Sequence, residues 1–178
     1  AGKARHRGTS SMYAWQLMKA LGLQRAHAGA PFVAMQNYYI LLYREDEREM
    51  FGLLDDEAVG AMPWSPLAAG RVARPWGEKG TTRSDATGDT DFDGRPTGFD
   101  TDKAIIDAVG KIAADHGVSM ATVAMAWVLK NPVVSTPIIG ATKPHHLTDA
   151  VAALDVQLTD EEITSLEQPY TARPHTFF

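Results

Sequence analysis

The residues able to do chemistry gather at four short places, three of them where an apolar run gives way to a turn and the first after Ala4-Arg5-His6-Arg7-Gly8-Thr9, a poor strand by composition. Ser10 and Ser11 follow the run 4–9 and precede a helical pattern. Gln36 closes Phe32-Val33-Ala34-Met35; an amide ending such a run needs a partner, and it can both donate and accept. Trp64-Ser65-Pro66-Leu67-Ala68-Ala69-Gly70 follows Ala58-Val59-Gly60-Ala61-Met62-Pro63. Gly140, Thr142 and Lys143 lie between Ile138-Ile139 and another helical pattern. A strand end running into a helix start is an anion site, because backbone N–H groups point outward and the helix terminus is positive. Each place also has a plain structural reading. The serines can cap a helix, a buried Trp is often ordinary core, and Ser65–Gly70 can be a simple strand-to-loop turn. His145-His146 can be exposed helix-start residues; neighbours on a helix point about 100° apart and do not chelate one ion.

Strand–helix units must position these residues. The pattern predicts strands over Ala4–Gly8, Phe32–Gln36, Val59–Met62 and Pro137–Ile139. Ser10-Ser11 would cap a helix carrying Met12, Trp15, Gln16, Met18, Lys19 and Leu21, with Gly22 as its stop. Glu45–Leu54 reads as a polar helix with Met50, Leu53 and Leu54 as its stripe. Helices follow over Asp102–His116 and over Ser119–Lys130, the second stopping before Pro132. His145–Leu154 is next, and Thr159-Asp160-Glu161-Glu162 is a capping box opening a last short helix. From Gly70 to about Asp100 periodicity gives way to Gly, Thr, Ser and Asp; a loop of that length is either functional or disordered. The charges of Glu45–Arg48 and Asp55-Asp56-Glu57 read as solvated.

Strand alternating with helix implies an α/β fold with a parallel sheet and right-handed crossovers. A closed barrel takes eight such units and about 250 residues. Four units leave a small open sheet and half a barrel equally compatible with the pattern. Lys+Arg 17 against Asp+Glu 22 gives net charge −5, which argues against nucleic acid as a partner. Cys 0 excludes a disulfide framework, a thiolate nucleophile and Cys-bound zinc. No apolar run approaches the ~18 residues of a membrane span, and the Gly-rich fingerprint of a Rossmann dinucleotide site is absent. With no signal peptide and an opening of Ala1-Gly2-Lys3, the expectation is a cytoplasmic chain, without a membrane partner, that has lost its beginning.

Four segments carry a family resemblance. Met35-Gln36-Asn37-Tyr38-Tyr39-Ile40-Leu41-Leu42-Tyr43-Arg44 resembles the sixth-strand motif of the aldo-keto reductases. Pro63-Trp64-Ser65-Pro66-Leu67-Ala68-Ala69-Gly70 is similar to their seventh-strand motif, and Ile138-Ile139-Gly140-Ala141-Thr142-Lys143 to the phosphate-binding turn after strand eight. Gly8-Thr9-Ser10-Ser11-Met12-Tyr13-Ala14-Trp15-Gln16 matches the strand-five turn. The resemblance covers essentially the whole chain and lies nearest the bacterial aryl-alcohol-dehydrogenase-like branch.

The resemblance implies the C-terminal half of a (β/α)8 TIM barrel, strands five to eight with their helices, as a partial domain over 1–178. It also implies NADPH stretched across the strand ends. Ser10, Ser11 and Gln36 then match residues holding the nicotinamide carboxamide, and Trp64 the aromatic under the nicotinamide ring. Ser65, Leu67, Ala69 and Gly70, in the turn with Pro66, would offer backbone N–H groups to the pyrophosphate. Arg71, Arg74 and Arg83 would lie in the segment over it. Gly140, Thr142 and Lys143 match the 2′-phosphate turn, and His146, Asp149 and Ala150 the adenine end. His146 stands where Gln or Arg is usual, and Ala150 where Asn is common.

The family's catalytic Tyr, Lys, Asp and His come from strands before the fifth, so no catalytic residue is expected here, and Tyr13, Tyr38, Tyr39, Tyr43 and Tyr170 are not expected to replace them. The resemblance thus implies reduction of a small aldehyde or ketone by the full barrel, this chain being its cofactor-side half. The alternative is a non-catalytic half-barrel or nucleotide-sensing module. Exposed barrel edges make self-association an expectation as well.

Overall fold

The computed structural model describes residues 3–27, 29–78 and 100–174. Three strands form a parallel sheet in sequence order: β1 (Arg7–Ser10), β2 (Phe32–Asn37) and β3 (Gly60–Pro63). Gly8 lies opposite Ala34, and Ser10 opposite Gln36, which in turn faces Met62. β1 therefore starts later than the expected Ala4–Gly8. The close approach to β2 falls at Gly8, where an added Cβ would stand 3.1 Å from the Ala34 carbonyl oxygen. Lys3–His6 stay exposed ahead of it.

The expected fourth strand, Pro137–Ile139, is only partly formed. Val134 bridges Ala61 and Ile138 bridges Trp64, both parallel. Four residue steps on one side match three on the other, so one residue is extra, and Pro137 has no N–H to give the ladder. The segment still donates from Ile138 N–H to the Pro63 carbonyl at 2.7 Å. It approaches closely because Gly60 is bare: a Cβ there would sit 2.1 Å from Ser135 Oγ.

Side chains alternate across the sheet. Met35, Asn37, Ala61 and Pro63 are buried on one face, while Ala34, Gln36, Gly60 and Met62 are half-buried on the other. Helices cover the first face: α1 (Ala14–Ala26), α2 (Met50–Asp56), α3 (Asp100–His116), α4 (Met120–Leu129), α5 (Pro144–Ala152) and α6 (Asp160–Glu167). Ser119 caps α4, accepting from Thr122 N–H, and Thr159 with Glu162 closes the expected capping box. Among the described residues no single helix is long and apolar enough to cross a membrane.

Three helix expectations need correction. Ser10 belongs to β1 and Tyr13 is the N-cap of α1, its N–H held by Gln16 Oε1 at 2.9 Å. α1 also runs through Gly22, and its buried residues are Leu17 and Leu21, while Trp15, Met18 and Leu23 point outward. The expected Glu45–Leu54 helix is a 3₁₀ turn at Glu45–Glu47 followed by α2. Its charges are not simply solvated, since Glu45 is 3% exposed. The chain after α6 folds over it: Tyr170 Oη and Arg173 N–H each donate to Glu45 Oε1 at 2.7 Å, and the Arg173 guanidinium pairs with buried Asp102.

Candidate functional site

Parallel strands deliver their ends to one rim, and the sequence-derived residues meet there. Ser10 Oγ donates to the Gln36 carbonyl at 3.3 Å, and Ser11 N–H donates to the same oxygen at 3.1 Å. The Gln36 side-chain amide makes no hydrogen bond within the described residues and lies on the half-buried face. One residue on, Asn37 turns to the helix side. Its Nδ2 donates to Asp46 Oδ2 at 2.8 Å and its carbonyl accepts Trp64 N–H at 2.8 Å. Asn37 thus locks the end of β2 to the end of β3. Its place beside the motif glutamine, one pleat out of phase, could have marked it as buried.

Trp64 continues β3 into the turn. Tyr38 backs its ring, with centroids 4.4 Å apart and planes at 28°. The turn that follows is strained: Ser65, Ala68 and Ala69 have φ of 50°, 51° and 56°, and Gly70 has 88°. Non-glycine residues rarely adopt this region, and their clustering at a strand end points to a constraint beyond folding. Ala68 N–H donates to the Ser65 carbonyl and Gly70 N–H to the Leu67 carbonyl, both at 2.8 Å. The expected donation from Gly70 to a pyrophosphate is therefore corrected: its N–H is already used to close the turn. Pro66 is buried, Leu67 packs against the core, and Arg71 is half-buried. Arg83 lies outside the described residues.

The second turn begins beside the first, because Ile138 bridges Trp64. A Cβ at Gly140 would meet nothing within 4 Å, so packing among the described residues does not explain the glycine. Lys143 is the N-cap of α5 with Pro144 behind it, and its side chain makes no capping bond. Thr142 N–H donates to His146 Nδ1 at 3.2 Å, which turns that ring into a lid on the helix start. His145 meets it edge to face at 4.5 Å. Asp149 accepts from Thr122 Oγ1 through its carbonyl at 3.0 Å, and Ala150 packs beside Met125, Ala126 and Ala153. Both therefore also hold α5 against α4.

Below this rim lies a cluster that the sequence pattern did not flag. Trp127, fully buried, packs at 5.0 Å on Tyr39 and donates from Nε1 to Glu167 Oε1 at 2.8 Å. Arg44 bonds Glu47 and Glu167 and lies over the rings of Trp127 and Tyr170, both at 5.4 Å. Lys130 reaches Glu167 at 2.9 Å. Burial would raise the Glu167 carboxyl, but the bonds from Lys130 and Trp127 and the Arg44 charge hold it below the ordinary carboxylate value. Burial, and then Glu47, push the Tyr39 hydroxyl well above its ordinary value; burial does the same for Tyr170. A cleft of about 370 Å³ lies among Arg44, Glu45, Glu47, Arg48, Glu167 and Tyr170. None of the rim residues lines it.

Residues 1–170 match the family model described as "Aldo/keto reductase family". The chain belongs to the aldo/keto reductase family. It is 41% identical over 173 residues to the versiconal hemiacetal acetate reductase of Aspergillus parasiticus, covering 97% of this chain and 50% of that protein. A Schizosaccharomyces pombe protein named "Putative aryl-alcohol dehydrogenase" is 40% identical over 98% of this chain and 48% of its own length. The aldo-keto reductase AMT2 of Alternaria alternata is 38% identical over 97% of this chain and 46% of its own. The aryl-alcohol-dehydrogenase-like branch follows from these relatives. The chain spans about half the length of the curated relatives it matches.

Proposed function

We propose that this chain is the cofactor-side half of a (β/α)8 carbonyl reductase that uses NADPH to reduce aldehydes or ketones to alcohols. One observation carries the reading: the Gln36 amide, unbonded among the described residues, the backed Trp64 ring, the strained Ser65–Gly70 turn and the turn of Gly140 and Lys143, whose Thr142 N–H is held by His146, share one rim. Their chemistry fits a dinucleotide. Gln36 can hold a carboxamide from both sides, Trp64 offers an aromatic platform, and the strained turn presents backbone to a pyrophosphate at close range. Lys143 with the α5 terminus suits a further phosphate, which favours NADPH over NADH. Bound NADPH supplies the hydride. The residues of this chain fix the ring and phosphates, and the rest of the barrel supplies the proton donor and the substrate pocket.

The tyrosines described here support that division. Tyr39 Oη donates to Glu47 and Tyr170 Oη to Glu45, and each hydroxyl is held in its protonated form by burial. Neither is poised to release a proton, and an unassisted transfer would forgo the ~10²–10⁴-fold of general acid catalysis. A nucleotide-sensing module is the second reading, favoured by the same locked hydroxyls. Titration with NADPH and NADH, followed by fluorescence, tests the first reading. NADPH should bind more tightly, Gln36→Ala should weaken it roughly tenfold, the worth of about one good hydrogen bond, and no aldehyde should turn over. Absence of NADPH binding would overturn both readings, and turnover abolished by a Tyr substitution would relocate the chemistry to this chain.

A further inference from the structure

The acidic run Glu45-Asp46-Glu47 has no part in the cofactor reading, yet each of its carboxylates is engaged. Glu45 accepts from Tyr170 and Arg173, and Glu47 from Tyr39 and Arg44. These bonds tie the 3₁₀ turn to its surroundings and to the chain after α6. Asp46, between them and buried as well, reaches back to the sheet, where its Oδ2 accepts from Asn37 Nδ2 at 2.8 Å. A short reversal brings it there. Ile40 and Tyr43 exchange two backbone hydrogen bonds, at 3.1 and 2.9 Å, so the chain doubles back soon after leaving β2.

Asn37 is an unexpected residue for its position. Its neighbours on that face of the sheet, Met35, Ala61 and Pro63, are buried and apolar. Asn37 is 1% exposed, and with Nδ2 turned to a carboxylate its Oδ1 is a buried oxygen without a partner among the described residues. An unbonded buried oxygen costs stability, so an apolar residue would serve the fold alone at least as well. The polar pair is better explained by what it holds in place. Gln36 precedes Asn37 and faces the opposite side, as strand alternation demands. The Asn37 carbonyl accepts Trp64 N–H at 2.8 Å, and Tyr38, next along, backs the Trp64 ring. A rotation of the chain at Asn37 would therefore move the Gln36 amide and the Trp64 ring together.

We propose that Asn37, fixed by Asp46, is a positioning residue for the nicotinamide end of the cofactor, setting the Gln36 amide and the Trp64 ring relative to each other from the helix side of the sheet. The proposal rests on the NADPH reading above. Holding a planar ring between an amide and an aromatic demands placement to within about 0.5 Å. A buried hydrogen bond to a carboxylate supplies that stiffness because it is directional as well as strong, whereas apolar packing is not directional.

Calorimetric titration of the 178-residue chain with two ligands separates positioning from plain stability. NADPH uses both ends of the site, whereas adenosine 2′,5′-bisphosphate carries the adenine end and lacks the nicotinamide. Asn37→Asp sets a second carboxylate against Asp46 and should weaken NADPH about tenfold, the worth of one good hydrogen bond, with the bisphosphate unchanged. Adding Asp46→Asn restores the pair with donor and acceptor exchanged, and the NADPH affinity should return. Asn37→Ala removes the bond without adding charge and keeps the carbonyl on Trp64, so it makes the same comparison if Asn37→Asp does not fold. Equal weakening of both ligands would make the pair merely structural and overturn the proposal. Unchanged NADPH affinity, or a double variant no better than Asn37→Asp alone, would overturn it too. If the wild type binds NADPH and the variants match it, only this proposal falls. If the wild type does not bind NADPH, the cofactor reading falls and the proposal with it.

Discussion

The two faces of one short sheet are built on opposite principles. Toward the helices, Met35, Ala61 and Asn37 are buried, and side-chain bonds gather around them: Asn37 Nδ2 with Asp46, Trp127 with Glu167, Tyr39 with Glu47, with Asn37 Oδ1 left as a buried oxygen without a partner. Along the rim of the other face, Gln36 makes no side-chain bond among the described residues and Gly140 faces open space. Three non-glycine residues there accept a left-handed backbone. The first region spends its chemistry on itself. The second keeps donors and strain in reserve, as expected of a surface that meets a ligand. Apart from Asn37, which joins the two, substitutions should therefore separate cleanly, lowering stability on one side and affinity on the other.

The largest effect should come from Trp127→Ala. The side chain is fully buried, stacks near Tyr39, supports Arg44 and Lys130 on its ring and bonds Glu167. Truncating it leaves a cavity and an under-bonded carboxylate, a loss of about 3–5 kcal/mol. Urea denaturation measures this. A loss near zero would mean that the helix-side cluster is not the anchor of the fold.

Much of this arrangement was legible in residue types, for physical reasons that also mark where legibility stopped. Strand ends followed by turn residues located the rim, since Gln36, Trp64 and Gly140 each sit at a change of period. The capping motifs at Ser119 and Thr159 act within four residues, so they read directly. Long-range partners were not legible. Glu45 looks solvated until the chain beyond α6 returns, 125 residues away, to place Tyr170 on it. Likewise α1 looked one-sided, because spacing does not say which of two apolar stripes faces the sheet. The broken fourth strand depends on a register mismatch opposite Ala61 and Trp64 that no local pattern around Pro137 displays.

A smaller, pH-dependent effect should set the cluster apart from the rim. Glu167 has a folded value below its ordinary one, so its stabilisation is complete above the unfolded carboxylate range and is lost as pH falls through the lowered folded value. Glu167→Gln should then cost about 1–2 kcal/mol at pH 7, in the range of a hydrogen bond to a charged group. The gap between variant and wild type should narrow steadily below about pH 4. Paired denaturation curves at neutral and acid pH check the sign. A gap that widens in acid would mean that the carboxyl is held protonated, with burial outweighing Lys130, Trp127 and Arg44.

The smallest expected change has the opposite sign, and it bears most directly on the rim. Ala69 has φ 56° and ψ 26°, and Gly70 follows at φ 88°. An alanine in the left-handed region costs roughly 1–2 kcal/mol, whereas a glycine there avoids the clash but gives up about 0.5–1 kcal/mol of chain entropy on folding. Ala69→Gly should therefore stabilise the fold slightly, by about 0.5 kcal/mol. A turn kept strained only by folding would show that gain and nothing else. A turn kept rigid for a ligand would show the gain together with weaker NADPH binding, because the freed backbone must be ordered again when the pyrophosphate arrives. Thermal melts and the fluorescence titration, run on the same variant, read the two quantities separately. A stability gain with unchanged affinity would remove Ala69 from the cofactor turn while leaving the helix-side account of the fold intact.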